Sequence, residues 1–351
     1  MKAETYYEEQ LQRDISLLRN IQKELPPFLS GFFVNLGNRT SSKTRLGYAY
    51  DLKIFFSYLL EEHPKFSDKK MQDISSADLN LIECEDIDLF LEYITLYERQ
   101  TSTKASVCTN EENGKLRKLS AIRTMYKYYY KTKKIDTNPA MLVDAPKVHE
   151  KAIVRLDVNE MCDLLDEVES GNNLTQRQQK FHERTKKRDL AIVSLLVGTG
   201  MRVSECVGIN KEDINFSNNG VRVRRKGGNE VILYFGDEVR EALKDYLSER
   251  SLGKGDTEPA VFLSSQTKRI SVRAVQNLVK KYAQVSVKLK NISPHKLRST
   301  YGTNLYRATG DIYLVANTLG HADVNTTKKH YAAIEEIARQ NATKKIKLRR
   351  E

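Results

Sequence analysis

The sequence has only four cysteines, Cys84, Cys108, Cys162 and Cys206, scattered with no C-x-x-C pair and no neighbouring histidine to complete a zinc site. They read as reduced, mostly buried thiols. The longest apolar run, Leu190 to Gly198, falls far short of the roughly 20 residues a membrane span needs. Met1 to Arg13 is polar and charged where a signal peptide would need an apolar stretch. A soluble cytoplasmic protein without a membrane partner is therefore expected. There is no acidic cluster suited to two metal ions and no Gly-rich phosphate loop with its lysine, so neither a metal, ATP nor any other cofactor is implied. Internal repeats and low-complexity segments are also missing, which argues against a solenoid.

The 351-residue length and the formal net charge of +12 are more telling. The length exceeds the roughly 100–200 residues usual for one domain, so two are expected. The charge suggests a polyanionic partner, with nucleic acid first. A solvated basic face would give the same number, so motifs must decide.

Hydrophobic spacing predicts an amphipathic helix over 41–62, where Leu46, Leu52, Phe55, Phe56, Leu59 and Leu60 recur behind capping Ser and Thr residues. The pattern repeats over 76–97 and again over 116–134, where Leu119, Ile122, Tyr126 and Tyr129 share one side and Lys and Arg occupy the others. The N-terminal part thus reads as an all-helical bundle over 1–145, stopped at Asn138-Pro139. The stretch from Val143 to Leu156 lacks periodicity, and a linker is placed at 146–156. A second domain over 157–351 opens with a helix at 157–168, and its polar stretch at 170–187 reads as a surface loop or an extended helix end. An apolar helix over 188–197 ends at Gly198-Thr199-Gly200, with another beginning at Val203. Two β-rich runs, 221–223 and 231–235, flank Lys226-Gly227-Gly228-Asn229, a strong hairpin signal. After Gly236 the chain reads as helical again.

Four short motifs of this second half carry the chemistry. Thr199-Gly200-Met201-Arg202-Val203-Ser204-Glu205, then His295-Lys296-Leu297-Arg298, then Leu319-Gly320-His321, and Tyr331 ten residues later, resemble in order and spacing the active-site signature of tyrosine recombinases and integrases, phage-type and Xer-like. The resemblance covers the second domain and extends more weakly to the first. It implies a mainly α fold with a small β-sheet or hairpin: an N-terminal helical core-binding (SAM-like) domain plus a mixed α/β catalytic domain. It also implies a site-specific recombinase acting through a 3′-phosphotyrosine intermediate and a Holliday junction, in integration, excision, inversion or resolution.

The residue types suit that reaction. Attack on a phosphodiester builds charge on its equatorial oxygens, so fixed cationic donors aimed there supply most of the catalysis. Arg202 and Arg298 fit, since arginine stays protonated and can fork two N–H donors onto phosphate oxygens. Removing either is expected to raise the barrier by about 3–4 kcal/mol. Tyr331 would be the nucleophile. A free phenol has a pKa near 10 and is only about a thousandth ionised at pH 7, so it needs activation. His295, three residues before Arg298 on one helical face, could accept the proton, and His321 would hydrogen-bond the phosphate. His330, beside the tyrosine, reads as structural or a modest contributor.

In the resembled family a hairpin lysine protonates the departing 5′-oxygen, which points to Lys226. If the hairpin register differs by one, Arg225 takes that place, and its pKa would make it a poor acid. Glu205 reads as a supporting carboxylate that orients a cation or hydroxyl. One departure from the family pattern is Ser299, where a histidine often follows the second arginine.

The resemblance further implies a clamp of two domains around duplex DNA at a recombination site. Lys115, Arg117, Lys118, Arg123 and Lys127 are candidate phosphate contacts, each of which could instead be merely solvated. The C-terminal segment would dock on a neighbouring protomer in a homo-tetramer, with accessory DNA-bending proteins as further partners; a basic tail touching DNA is the plainer alternative. Two other functions use the same features: a type IB topoisomerase, and a DNA-binding regulator that has kept the fold and lost catalysis.

Overall fold

In the computed structural model, residues 5–100, 105–149, 154–225, 227–251 and 258–320 are described. The chain divides into two compact units, residues 1–151 and 152–351.

The first unit packs α1 (Tyr6–Gln22), α2 (Leu29–Gly37), α3 (Ser42–Glu62), α4 (Cys84–Tyr93) and α5 (Glu112–Lys131). Helix α3 begins where Ser41 accepts a hydrogen bond from the Thr44 N–H at 3.2 Å, satisfying one of the unpaired donors of the first turn. It buries Leu52, Phe55, Phe56 and Leu59 against Phe90 of α4 and against Ile122, Met125, Tyr126 and Tyr129 of α5. Leu46 and Leu60 are only partly buried at the edge of this core.

Two features depart from the sequence expectation. The helix expected over 76–97 is interrupted: a short 3-10 turn, Ala77–Leu81, gives way to extended backbone at Ile82 and Glu83 before α4 starts. The side chain of Asp86 accepts the Glu83 N–H at 2.8 Å and restarts the helix there, while the apolar spacing runs on across the break. The bundle is also not all helical. Strands β1 (Leu96–Gln100) and β2 (Ala105–Thr109) form an antiparallel hairpin between α4 and α5, with Leu96 paired to Thr109. In addition, α5 ends at Lys131, short of Asn138-Pro139, which instead opens a separate 3-10 turn.

The second unit is built around α7 (Gln176–Thr199), which packs against α6 (Val158–Ser170), α9 (Asp237–Ser251) and α11 (Pro294–Thr309). The polar stretch at 176–187 is thus the first half of a long helix, capped by Thr175 and Gln178. Its apolar second half buries Ile192, Leu195 and Leu196. Within the unit, α10 (Val272–Ser286) is anchored by a buried polar network in which the Tyr282 hydroxyl donates to Asp189 at 2.9 Å and lies 2.9 Å from His182 Nδ1. Leu156, at the end of the expected linker, is buried here and donates its N–H to Thr300 Oγ1 at 3.1 Å.

A three-stranded antiparallel sheet, β3 (Ile214–Asn215), β4 (Gly220–Arg224) and β5 (Glu230–Tyr234), carries the expected hairpin, with Arg224 paired to Glu230 beside the turn. The short helices α8 (Val203–Gly208) and α12 (Ile312–Leu319) complete the described part of the unit. All four cysteines are free thiols, but only Cys206 is buried and Cys162 is exposed, so the expectation of mostly buried thiols fails: amphipathic helices also place cysteines on their outer sides. Among the described residues no helix is long and apolar enough to cross a membrane.

Candidate active site

The site is assembled from helix ends. Helix α7 stops at Gly200, whose left-handed backbone (φ +63°) closes the helix by donating its N–H to Leu196 O. A side chain at this position would be strained and would also collide with the Tyr301 ring, so glycine is required on both counts. The turn delivers Arg202 to the N-terminus of α8, in extended backbone. There Glu205 holds it twice: one carboxylate oxygen accepts the Arg202 backbone N–H at 2.8 Å, and the other accepts its guanidinium at 2.8 Å. Glu205 is buried at 4% exposure while Arg202 keeps 35%, so the carboxylate is the fixed partner and the guanidinium the presented one.

Helix α11 starts with Ser293 as N-cap and Pro294 in its first turn, a place where proline's missing N–H costs nothing. Three residues apart on one side of it, His295 is exposed and Arg298 is buried. Arg298 donates to Gly200 O at 2.8 Å and to Leu319 O, which joins the end of α7 to the end of α12. Ser299 turns back onto its own helix, donating to His295 O at 3.2 Å.

Helix α12 is capped at its start by Asp311, which accepts the Tyr313 and Leu314 N–H groups, and it closes at Gly320 with φ +63°. Three guanidiniums converge on its carboxyl end. Arg225 donates to Asn317 O at 2.9 Å and to Thr318 O, Arg298 to Leu319 O, and Arg202 to Gly320 O at 3.1 Å. Four consecutive carbonyls at the negative end of a helix thus gather three cations from three separate elements. With Glu205 as the counter-charge, the cluster remains cationic and attracts an anion. Burial, and to a lesser degree the Arg202 charge, push the Arg225 guanidinium below arginine's ordinary value, against the pull of Glu205.

Arg202, Glu205 and Arg298 are therefore brought together, with His295 on the helix that carries Arg298. Lys226, His321, His330 and Tyr331 lie outside the described residues. The chain is described up to Gly320, immediately before His321, and up to Arg225, immediately before Lys226. Sequence reasoning gave Arg225 only as an alternative occupant of the lysine's place; nothing local in the sequence signals its attachment to a helix 92 residues away. Among the described residues no group of three or more His, Cys, Asp or Glu side chains is placed to hold a metal ion.

The candidate phosphate contacts on α5 differ in setting. Lys118 is buried and donates to Asn110 Oδ1 at 2.6 Å. Arg123 is half-buried and donates to the carbonyls of Ala140 and Val143. Arg117 is 53% exposed over the buried Asp51, to which it donates, and Lys115 lies 3.9 Å from Glu92. Lys127 is exposed. Burial pushes the Asp51 carboxyl up to about 6, against the lowering effect of Arg117 and Lys118.

Residues 155–336 match the phage integrase family. The tyrosine recombinase XerC of Caldanaerobacter subterraneus subsp. tengcongensis is 32% identical over 334 residues, spanning 93% of this chain and 88% of that protein. The tyrosine recombinase XerC of Syntrophus aciditrophicus is 32% identical over 306 residues, spanning 86% and 90%. The fold is shared with the XerH site-specific recombinase bound to difH substrate in a pre-cleavage complex (TM-score 0.63, 19% identity, 85% of this chain and 79% of that one). It is shared too with a lambda integrase tetramer bound to a Holliday junction (TM-score 0.60, 16% identity, 87% and 76%). The chain belongs to the phage integrase family and is a tyrosine-type site-specific DNA recombinase, an enzyme that cleaves and rejoins DNA. Neither a type IB topoisomerase nor a non-catalytic regulator is favoured beside these relatives.

Proposed function

We infer that this recombinase cuts one DNA strand by attack of the Tyr331 hydroxyl oxygen on a backbone phosphorus. His295 takes the phenolic proton, a bond forms from tyrosine oxygen to phosphorus, and the bond to the 5′-oxygen breaks. Lys226 gives that departing oxygen its proton. Arg202, Arg298 and His321 hold the phosphate oxygens as their charge rises, and Glu205 fixes Arg202 for that purpose. The 3′-phosphotyrosyl link conserves the bond energy, so a 5′-hydroxyl from a partner strand can reverse the step and rejoin DNA without a cofactor.

The observation that carries this reading is the convergence of Arg202 and Arg298 on the turn that leads into His321. Two fixed arginines from different helices at one cationic point are what an in-line phosphoryl transfer requires and what a packing role does not. The solved relatives on a pre-cleavage substrate and on a Holliday junction support the extension to duplex DNA and to exchange within a homo-tetramer. A two-domain clamp over residues 1–145 and 157–351, a cytoplasmic setting and accessory DNA-bending partners complete the proposal.

The test is incubation of wild type and Tyr331→Phe with nicked suicide DNA carrying the recombination site. An SDS-resistant protein–DNA adduct in wild type alone is expected. Adduct formation by Tyr331→Phe, or none by wild type on DNA that it binds, would overturn the assignment.

A further inference from the structure

The hairpin turn after β4 is closed by two backbone hydrogen bonds, from Arg225 N–H to Asn229 O at 2.7 Å and from Gly228 N–H to Arg225 O at 3.1 Å. Gly227 and Gly228 both sit at positive φ, 94° and 90°, and both are exposed. A cleft of ≈ 400 Å³ lies between β5, α11 and the end of α12, lined in part by Leu233, Tyr301, Leu305 and Thr318. Arg225 also lines that cleft. Its backbone N–H bond to Asn229 O fixes the residue in the turn. Its guanidinium crosses to α12 and bridges Asn317 O and Thr318 O. The guanidinium also lies over Gly320, where a Cβ would collide with it. Planar, forked donors bridging two adjacent carbonyls hold direction as well as distance, which a lysine ammonium does not do.

We propose that Arg225 is a positioning residue for strand cleavage: it ties the hairpin to the end of α12 and so sets Lys226 against the phosphate whose 5′-oxygen departs. The proposal rests on the assignment of Lys226 as the proton donor. Arg225 itself acts through its neighbour and not as an acid, because a guanidinium stays protonated and its two terminal nitrogens donate to helix carbonyls. Its backbone is continuous with Lys226, and its side chain holds the turn that precedes His321. A change in Arg225 therefore alters where the proton donor stands while Arg202 and Arg298 keep their own bonds to Gly320 O and Leu319 O.

The experiment is single-turnover cleavage of suicide DNA with either oxygen or sulfur as the bridging 5′-atom. A thiolate leaves without protonation, so sulfur removes the need for a general acid. Wild type, Lys226→Ala, Arg225→Ala and Arg225→Lys are compared, with melting temperatures to confirm folding. Arg225→Ala is expected to cleave the oxygen substrate about 100-fold more slowly than wild type and to recover close to the wild-type rate on sulfur. Arg225→Lys, which can reach only one carbonyl at a time, is expected to lose less and to recover likewise. Unchanged cleavage of oxygen by Arg225→Ala, or an equal loss on both substrates, overturns the proposal. Lys226→Ala separates the two claims. If sulfur rescues it and not Arg225→Ala, the positioning role alone falls; if sulfur fails to rescue it, the proton-donor assignment falls and takes the positioning role with it.

Discussion

Replacing Glu205 tests how the proposed phosphate-binding end of the site is held. Its carboxylate accepts two hydrogen bonds at 2.8 Å, one from the N-cap backbone of α8 and one from the Arg202 guanidinium. Hydrogen bonds to charged groups contribute about 1.5–3 kcal/mol each, and removing one partner of a buried pair costs about 3–5 kcal/mol. Arg202 retains 35% exposure, so water takes over part of what Glu205 supplies, which puts the loss in Glu205→Ala near the lower limit, about 3 kcal/mol. The catalytic consequence is separate. Arg202 keeps its bond to Gly320 O but loses the contact that fixes its rotamer, and a displacement of about 1 Å in such a group reduces rate by roughly 100-fold. Chemical denaturation measures the first effect, and suicide-substrate cleavage well below the melting temperature measures the second. Glu205→Gln should fall between, because the amide keeps an acceptor for the backbone N–H and brings an N–H2 group toward the guanidinium. Wild-type stability together with a wild-type cleavage rate in Glu205→Ala would refute the reasoning.

Three further outcomes concern the first unit. Lys127→Ala is expected to weaken DNA binding and lower the salt slope by about one while leaving stability unchanged; Lys118→Ala should instead destabilise by about 1–3 kcal/mol by stripping Asn110 of a buried partner, as urea titrations and binding over 50–200 mM salt would show. Asp51 has its folded-state carboxyl raised above the unfolded value of 3.8 to about 6, so the folded state binds the proton more tightly and the stabilisation present below the lower value is lost as pH rises to the higher one. Denaturation between pH 4 and 6 should therefore show a smaller decline in stability with rising pH for Asp51→Asn than for wild type; equal declines would refute this.

How much of this was legible depended on how local each signal is. Helices α3 and α5 show in the apolar spacing because one face of each meets the core, and the β4–β5 hairpin shows in Lys226-Gly227-Gly228-Asn229. The β1–β2 hairpin has no comparable turn signal, with Thr101-Ser102-Thr103-Lys104 between its strands, and so passes unnoticed. The break at Ile82 and Glu83 is hidden because hydrophobic spacing continues through it. Arg202, His295 and Arg298 are legible through short motifs whose spacing reflects helix ends. By contrast, the bridge from Arg225 to α12 and the burial of Lys118 beside Asn110 depend on tertiary partners, and spacing along one element cannot reveal them.

The central claim is that Tyr331 becomes joined to DNA. Trapping the adduct on suicide DNA, trimming the DNA with nuclease and digesting with trypsin would release the peptide from His330 to Arg339, in which Tyr331 is the sole tyrosine. Mass spectrometry should find the nucleotide mass on that residue. The same mass on any other side chain, with the His330–Arg339 peptide unmodified, would contradict the account.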